Sequence, residues 1–371
     1  MEKIFITIPW FLPAYRAGGP VQSVANLVKE YTEGVEYYIF CGDTDLNGAA
    51  LENIKINEWV NFNDHTKVWY SGPDKISESL VKEVTTLKPD IIYAVGIFSW
   101  HFNLVPIIFC KGPKKIISAR GMLHPGALSQ KKWKKKIFLK LFKLFEYDHK
   151  VVFHATDEAE RKCIQQKMGA NASVFVAGNF PNKIGLLTLP PKEPGKLKLL
   201  TIALISPMKN ISLVLDALAK NETEIEYHIY GPVKDEEYWN LCKEKIKSLP
   251  SNIVVQYHKE FEPAQLNSIL STGHVFILPS KSENFGHAIY EALSAGLPVI
   301  TSHHTPWNQL DASLAGMNVS TENADNIATA ISLFTTMDQS TFDEWHLHAA
   351  AYAEKAVDVE VIRSGYTKMF K

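Results

Sequence analysis

Cysteine is scarce and scattered. The chain has four in 371 residues, at Cys41, Cys110, Cys163 and Cys242, and none forms a CxxC pair. That excludes a disulfide scaffold and a thiolate zinc site, and it suits a reducing compartment. A GxGxxG fingerprint and a phosphate-binding P-loop pattern are also missing, as are solenoid periods and low-complexity tracts. No apolar run is clean enough to span a membrane. The most apolar window, IIYAVGIFSWHFNLVPIIFC at 91–110, is broken by Gly96, His101, Asn103 and Pro106, so it reads as a buried strand followed by a buried helix. The opening MEKIFITIPWF is too short in apolar length for a secretory leader and reads as a first buried strand. These absences lead to the expectation of a cytoplasmic protein.

What is present is an ordinary globular composition, 46% hydrophobic and 21% charged, in a chain long enough for two domains. The net charge of −1 hides an asymmetry. Residues 1–187 carry 24 Lys+Arg against 18 Asp+Glu, and residues 188–371 carry 15 against 22. A basic first half points to an anionic surface or ligand.

Short apolar runs alternate with helical patterns, the mark of an α/β protein with parallel sheets. Strands are expected near 3–8, 36–41, 90–95, 115–119, 151–154 and 173–177, with helices near 20–32, 75–88, 127–147 and 156–168. The stretch TLPPKEPGK at 188–196 reads as a linker. Strands resume at 197–204, 224–231, 252–257, 274–279, 297–302 and 316–320. The expected organisation is therefore two doubly wound domains, 1–187 and 197–357, with a last helix at 358–371. Ligands of such sheets bind outside the carboxyl ends of the strands, so the loops there, and a cleft between two such domains, are where chemistry is sought.

The most informative stretch is SENFGHAIYEALSAGLPVI, which follows the apolar run HVFILP directly. Ala288, Ile289, Ala292, Leu293 and Ala295 share one helical arc, with Glu291 at its border. Glu283 precedes the helix, Gly286 permits close backbone approach, and the amides of Asn284, Phe285 and Gly286 stand at a helix N-terminus. The bland reading is an acid favoured by the helix dipole plus one solvated glutamate.

The whole segment, flanks included, resembles the E-x7-E signature of retaining glycosyltransferases of family 4, the group 1 transferases, which have the GT-B fold. That resemblance implies that Glu291 accepts hydrogen bonds from the ribose of a nucleotide sugar, that Glu283 lies by the sugar, and that the amides between them touch sugar and phosphate. LISPMKNISLVLDALA at 204–219 is similar to the family's phosphate-binding stretch, with Lys209 as its lysine. Ala203-Leu204 stand where the family commonly has Gly-Arg, so the second phosphate cation is missing or comes from elsewhere, with Arg120 a candidate.

Other stretches fit the same family. Gly18-Gly19 matches its glycine-rich first loop. SARGMLHPGAL at 118–128 resembles a stretch of members that build bacterial surface polysaccharides, giving Arg120 and His124 roles at phosphate, donor sugar or acceptor hydroxyl. HIYGPVKDEEYW and SHHTPWNQL look like the same subgroup, with Tyr230, Gly231 and Pro232 flanking the nucleotide base. His303-His304 lack a spaced third ligand, and the DTD at 43–45 reads as a loop, so no metal is expected and the cofactor expectation is none, with a UDP- or GDP-type sugar as substrate.

KKWKKKIFLKLFKLF at 131–145 holds seven lysines. Either its apolar stripe packs on the domain while lysines coat the rest, or the helix lies on an anionic bilayer. The second is expected, with Lys131, Lys132, Trp133, Lys134, Lys135, Lys136 and Lys140 facing the membrane. Nucleic acid is not an expected partner, since no binding module accompanies the patch.

The resulting expectation is a metal-independent glycosyltransferase of the cytoplasm, peripheral on the inner membrane face, acting on a glycan or lipid-linked acceptor. The alternatives are an inactive GT-B carbohydrate-binding or regulatory protein, and a GT-B epimerase or phosphorylase.

Overall fold

A computed structural model describes residues 1–46, 48–124, 128 and 132–371, the side chain of Lys132 apart. The chain divides into two compact units, Met1–Phe180 with Asp358–Lys371, and Pro181–Val357.

The first unit opens with β1 (Glu2–Thr7), α1 (Gly19–Glu30), β2 (Val35–Gly42), β3 (Trp59–Asn63) and β4 (Thr66–Ser71). It continues through α2 (Ile76–Leu87), β5 (Ile91–Val95), α3 (Val105–Phe109), β6 (Lys114–Ser118) and α4 (Lys132–Leu144). β7 (Val152–Ala155), α5 (Glu158–Met168) and β8 (Val174–Val176) follow. The sheet order is β3-β4-β2-β1-β5-β6-β7-β8, parallel throughout except for the β3–β4 pair. Ile4, Phe5 and Ile6 of β1 are fully buried, as are Ile92, Tyr93 and Ala94 of β5. Central parallel strands covered on both faces read as continuous apolar runs for this reason.

The antiparallel hairpin β3–β4 has no counterpart in the sequence reading. β3 is an edge strand whose last three residues are exposed, so it carries no apolar run to announce it. It is held by ring packing instead, with Trp59 and Trp69 centroids 5.5 Å apart.

The second unit contains β9 (Lys196–Ile202), α6 (Ile211–Leu218), β10 (Glu224–Tyr230), α7 (Glu236–Lys247) and β11 (Ile253–Tyr257). Then come α8 (Leu266–Leu270), β12 (Val275–Leu278), α9 (His287–Ser294), β13 (Val299–Ser302) and β14 (Gly316–Val319). α10 (Asp325–Thr336) and α11 (Gln339–Ala356) close it. Its all-parallel sheet runs β11-β10-β9-β12-β13-β14, so the order turns back between β9 and β12. Such a switch point opens a crevice at the carboxyl ends of the strands. Aspartates fix the helix starts: Asp235 accepts the Tyr238 amide at 2.9 Å and Asp338 that of Thr341 at 2.8 Å, each such cap contributing about 1 kcal/mol.

The division between the units falls at Phe180/Pro181 rather than at the proline-rich 188–196. Ile184, Leu187 and Leu189 pack on the second unit's core. Lys192 is buried, its ammonium donating to the carbonyls of Thr335 and Met337 at 3.2 and 3.1 Å. The stretch is polar in composition but structurally part of the domain.

The last helix, α12 (Val359–Phe370), belongs to the first unit. Asp358 caps it, accepting from the amides of Glu360 and Val361 at 3.0 and 3.1 Å. Tyr366 stacks on Phe180 at 5.4 Å, and Arg363 donates to the Glu30 carbonyl at 2.9 Å. Among the described residues no helix is long and apolar enough to cross a membrane.

Candidate active site

In the second unit, the loops after β9, β12 and β13 converge at the switch point. After β9 the chain makes a single tight turn, Pro207–Lys209, before Asn210 adopts a left-handed conformation (φ 61°) and starts α6. After β12 the loop 279–286 leads into α9. The two are stitched by the Lys281 amide donating to the Met208 carbonyl at 2.9 Å. The loop after β13 holds the other side, its His304 carbonyl accepting the Glu283 amide at 3.1 Å.

This framework brings Lys209 and Glu283 together. The lysine ammonium sits 2.5 Å from a Glu283 carboxylate oxygen, with both side chains largely screened from solvent. The Ser280 hydroxyl donates to the same oxygen at 2.6 Å. A cation and a carboxylate thus meet between the starts of two helices, α6 and α9; α9 begins on Gly286, which has no side chain to cap it, while at α6 the Ser212 amide already donates to the Tyr238 hydroxyl at 2.8 Å. Helix N-termini present unsatisfied amides and a positive dipole end, so this pocket of backbone suits an anion.

Gly286 starts α9 at φ 77°, a conformation side chains resist, and a Cβ there would lie 3.2 Å from Ile289 and 3.3 Å from the Trp307 indole nitrogen. That indole donates to the Phe285 carbonyl at 2.6 Å and packs edge-on against the Phe285 ring at 5.2 Å. The loop carrying Asn284, Phe285 and Gly286 is therefore held in one shape.

Glu291 lies one face further round α9. Ile289, Ala292, Leu293 and Ala295 are fully buried, and Glu291 is buried with them at 8% exposure. Its carboxylate accepts from the Asn182 amide at 3.0 Å. Burial pushes its pKa up from 4.5 to about 7, and the Asn182 hydrogen bond offsets only part of that. A carboxylate kept dry with one donor has acceptor capacity left for hydroxyls.

Tyr230, Gly231 and Pro232 leave β10 beside the β9 loop. Gly231 (φ 127°) is forced by contact: a Cβ there would lie 2.0 Å from the Ala203 carbonyl oxygen. Tyr230 stacks on His258 with centroids 4.4 Å apart and planes 11° apart. Gly231→Ala is expected to destabilise the second unit by several kcal/mol, since backbone must move to admit the methyl (a cost of at least ~1–3 kcal/mol from φ alone). Thermal denaturation checks this, and a melting temperature unchanged from wild type would contradict it.

The remaining sequence candidates belong to the first unit. Gly18 (φ 74°) and Gly19 start α1 after β1, with open space around both. Arg120 is not a free cation. One terminal nitrogen donates to Asn179 and the other to the Tyr93 hydroxyl at 3.1 Å. That hydroxyl also meets His154 Nδ1 at 2.6 Å. Burial, with Arg120 alongside, drives the His154 pKa down to about 3, and its Nε2 faces the Ala177 carbonyl at 2.8 Å. Arg120 thus anchors an internal network. His124 is exposed.

Within the DTD loop, Asp45 accepts its neighbour's amide from Leu46 at 2.6 Å, and His303 and His304 are exposed. Among the described residues no three potential ligands gather around a metal position. Of the residues proposed to face a membrane, Lys131 and the Lys132 side chain lie outside the described residues. Trp133, Lys134, Lys136 and Lys140 are exposed. Lys135 is a correction: half-buried, it turns inward over the Phe98 ring at 5.2 Å, where a cation–π contact holds it.

Sequence reasoning missed Asn182, Ser280 and Trp307. Ser280 sits in the PS that precedes the signature and was within reach, while nothing in the chain around Asn182 marks it. A cleft of about 630 Å³ at the amino-terminal edge of the same sheet, lined by Lys196, Glu224 and His274 among others, lacks this convergence. There Lys196 is paired with Glu193 at 2.8 Å. His274 is held neutral, its pKa lowered to about 4 by burial.

Residues 190–349 match the family model described as glycosyl transferases group 1. The second unit therefore carries that family's sequence pattern. A stretch of 111 residues is 26% identical to the sulfoquinovosyl transferase SQD2 of Arabidopsis thaliana, covering 30% of this chain and 20% of that one. The chain thus matches about a fifth of that curated relative's length. Among solved structures, Anabaena HepE in complex with UDP and glucose aligns with a TM-score of 0.72 and 16% identity, over 100% of this chain and 99% of that one. Sucrose-phosphate synthase from Thermosynechococcus elongatus aligns at 0.70 and 15%, over 100% and 98%. At these identities the likeness is one of fold, and the fold is that of the GT-B glycosyltransferases.

Proposed function

We propose that this chain, with a group 1 glycosyl transferase pattern in its second unit and a GT-B fold, moves a sugar from a nucleoside-diphosphate sugar to an acceptor hydroxyl with retention of configuration. The observation that carries the reading is the meeting of Lys209 and Glu283 at 2.5 Å, placed where the sheet order reverses.

In this reading the diphosphate takes over the Lys209 ammonium and the start of α9, and Glu283 is released to accept hydrogen bonds from the sugar. Glu291 accepts the ribose hydroxyls, and Tyr230, Gly231 and Pro232 flank the base. The bond from the anomeric carbon to the phosphate oxygen breaks, and the acceptor oxygen bonds that carbon on the same face. The acceptor proton passes to the departing diphosphate, so no side-chain base is required. Rate then comes from positioning and from preorganised positive charge on the leaving group. Lys209 supplies that charge, so the reaction is proposed to need no metal. The acceptor is proposed to be a glycan or lipid-linked glycan of surface-polysaccharide assembly.

Purified protein mixed with UDP- and GDP-sugars and a glycan or lipid-linked acceptor should release nucleoside diphosphate at a rate unchanged by chelator. Loss of the activity with chelator would contradict the metal-free reading.

Leu204 in place of the family's usual arginine favours a second reading, a donor-binding protein without transfer. Nucleotide binding without any release, across the donors and acceptors tried, would select it.

A further inference from the structure

α4 has two apolar faces. Phe138, Leu139 and Phe142 pack on the first unit's core beside Val151 and Phe153. Turned away from them is a second row: Trp133, Ile137, Leu141 and Leu144, then Phe145, which are 76%, 56%, 47%, 72% and 58% exposed. At about 100° per residue the four helical members fall within an arc about 80° wide. Lys136, Lys140 and Lys143 border it on one side and Lys134 on the other, all exposed. No Asp or Glu stands anywhere between Asp90 and Glu146.

We propose that this face docks on an anionic lipid bilayer, lying in the headgroup plane. Lysine is depleted from the cores of protein–protein interfaces, so a lysine-bordered row fits a protein partner poorly. A bilayer takes both parts: the apolar row enters the acyl boundary, with Trp133 at the interface, while the lysines extend along it to the phosphates. Nucleic acid would use the lysines and leave the row in water. At 13 residues the helix is too short to span. This deepens the proposed function by giving a lipid-linked acceptor its surface, but it rests on α4 alone.

The test is co-sedimentation of the full chain with vesicles of phosphatidylcholine, and of phosphatidylcholine mixed with phosphatidylglycerol, at low and high salt. Binding is expected to the mixed vesicles, weakened by salt without being abolished. Trp133→Ser with Ile137→Ser and Leu141→Ser should weaken it at least about tenfold, and Lys134→Gln with Lys136→Gln, Lys140→Gln and Lys143→Gln should remove the preference for anionic lipid. The altered side chains are exposed, so thermal denaturation of both variants should match wild type.

No binding of the wild type to mixed vesicles at low salt would overturn the proposal, as would a serine variant that binds like wild type. Self-association without lipid that the serine variant abolishes would assign the face to a second copy. RNA binding indifferent to the serines, with no vesicle binding, would assign it to nucleic acid. Nucleotide binding measured in parallel separates this result from the fate of the proposed reaction.

Discussion

Glu291→Gln should make the protein more stable at neutral and alkaline pH. The carboxyl is buried, and burial raises its pKa from 4.5 to about 7. Below about pH 4.5 it is protonated in both the folded and unfolded chain and contributes no pH dependence. Between 4.5 and about 7 the unfolded chain loses this proton and the folded chain keeps it, so stability falls as pH rises. Above about 7 both are ionised and the penalty is constant, on the order of 3 kcal/mol at 1.36 kcal/mol per unit. Glutamine keeps the shape and an oxygen for Asn182 but never ionises.

The wild type and variant should therefore converge near pH 4.5 and separate by several degrees in melting temperature by about pH 8. Parallel melting curves across that range would mean that the carboxylate is better solvated than its burial among Ile289, Ala292 and Leu293 indicates. Under the proposed function the same group gives a second readout. A ribose diol donates to the ionised carboxylate, so nucleotide affinity should rise with pH up to about 7 and then level.

Lys209→Ala should lower turnover by about 10²–10³-fold while changing donor affinity far less. Loss of one preorganised group stabilising developing charge typically costs this much. The ammonium already faces the bound diphosphate, but the charge opposite it grows as the diphosphate departs, whereas the α9 start and Glu291 contribute equally before and during departure. A raised KM with an unchanged kcat would reassign Lys209 to binding. Because the substitution also removes the partner of Glu283, folding is checked alongside by thermal denaturation. The Ser280 hydroxyl remains on that carboxylate at 2.6 Å.

The pair Lys209 and Glu283, 74 residues apart in sequence, was legible because each follows an apolar strand, and strand ends at a switch point are where such sheets place ligand groups. Gly231 was legible as a residue but not as a reason: it is glycine because the Ala203 carbonyl leaves no room, and only packing reveals that. Asn182 was hidden because its partner lies 109 residues away and its own segment reads as the approach to a linker. That linker was misread for a related cause. Proline and charge mimic a solvated connector, yet Leu187, Leu189 and Lys192 are anchored in the domain.

Arg120 shows the converse case. A loop arginine after a strand reads as a phosphate clamp, but Tyr93 and Asn179 occupy its fork. For α4 the pattern of lysines was visible, and the division into inward Phe138 and Phe142 and outward Ile137 and Leu141 required the fold.

The most direct test is calorimetric titration of the purified chain, and of Glu291→Ala, with UDP, GDP and their sugars. Saturable binding to one nucleotide series, weakened at least about tenfold by the alanine, is expected of a buried carboxylate that grips the nucleoside. Wild-type binding left unchanged by the alanine, or no binding to any nucleoside diphosphate, would contradict it.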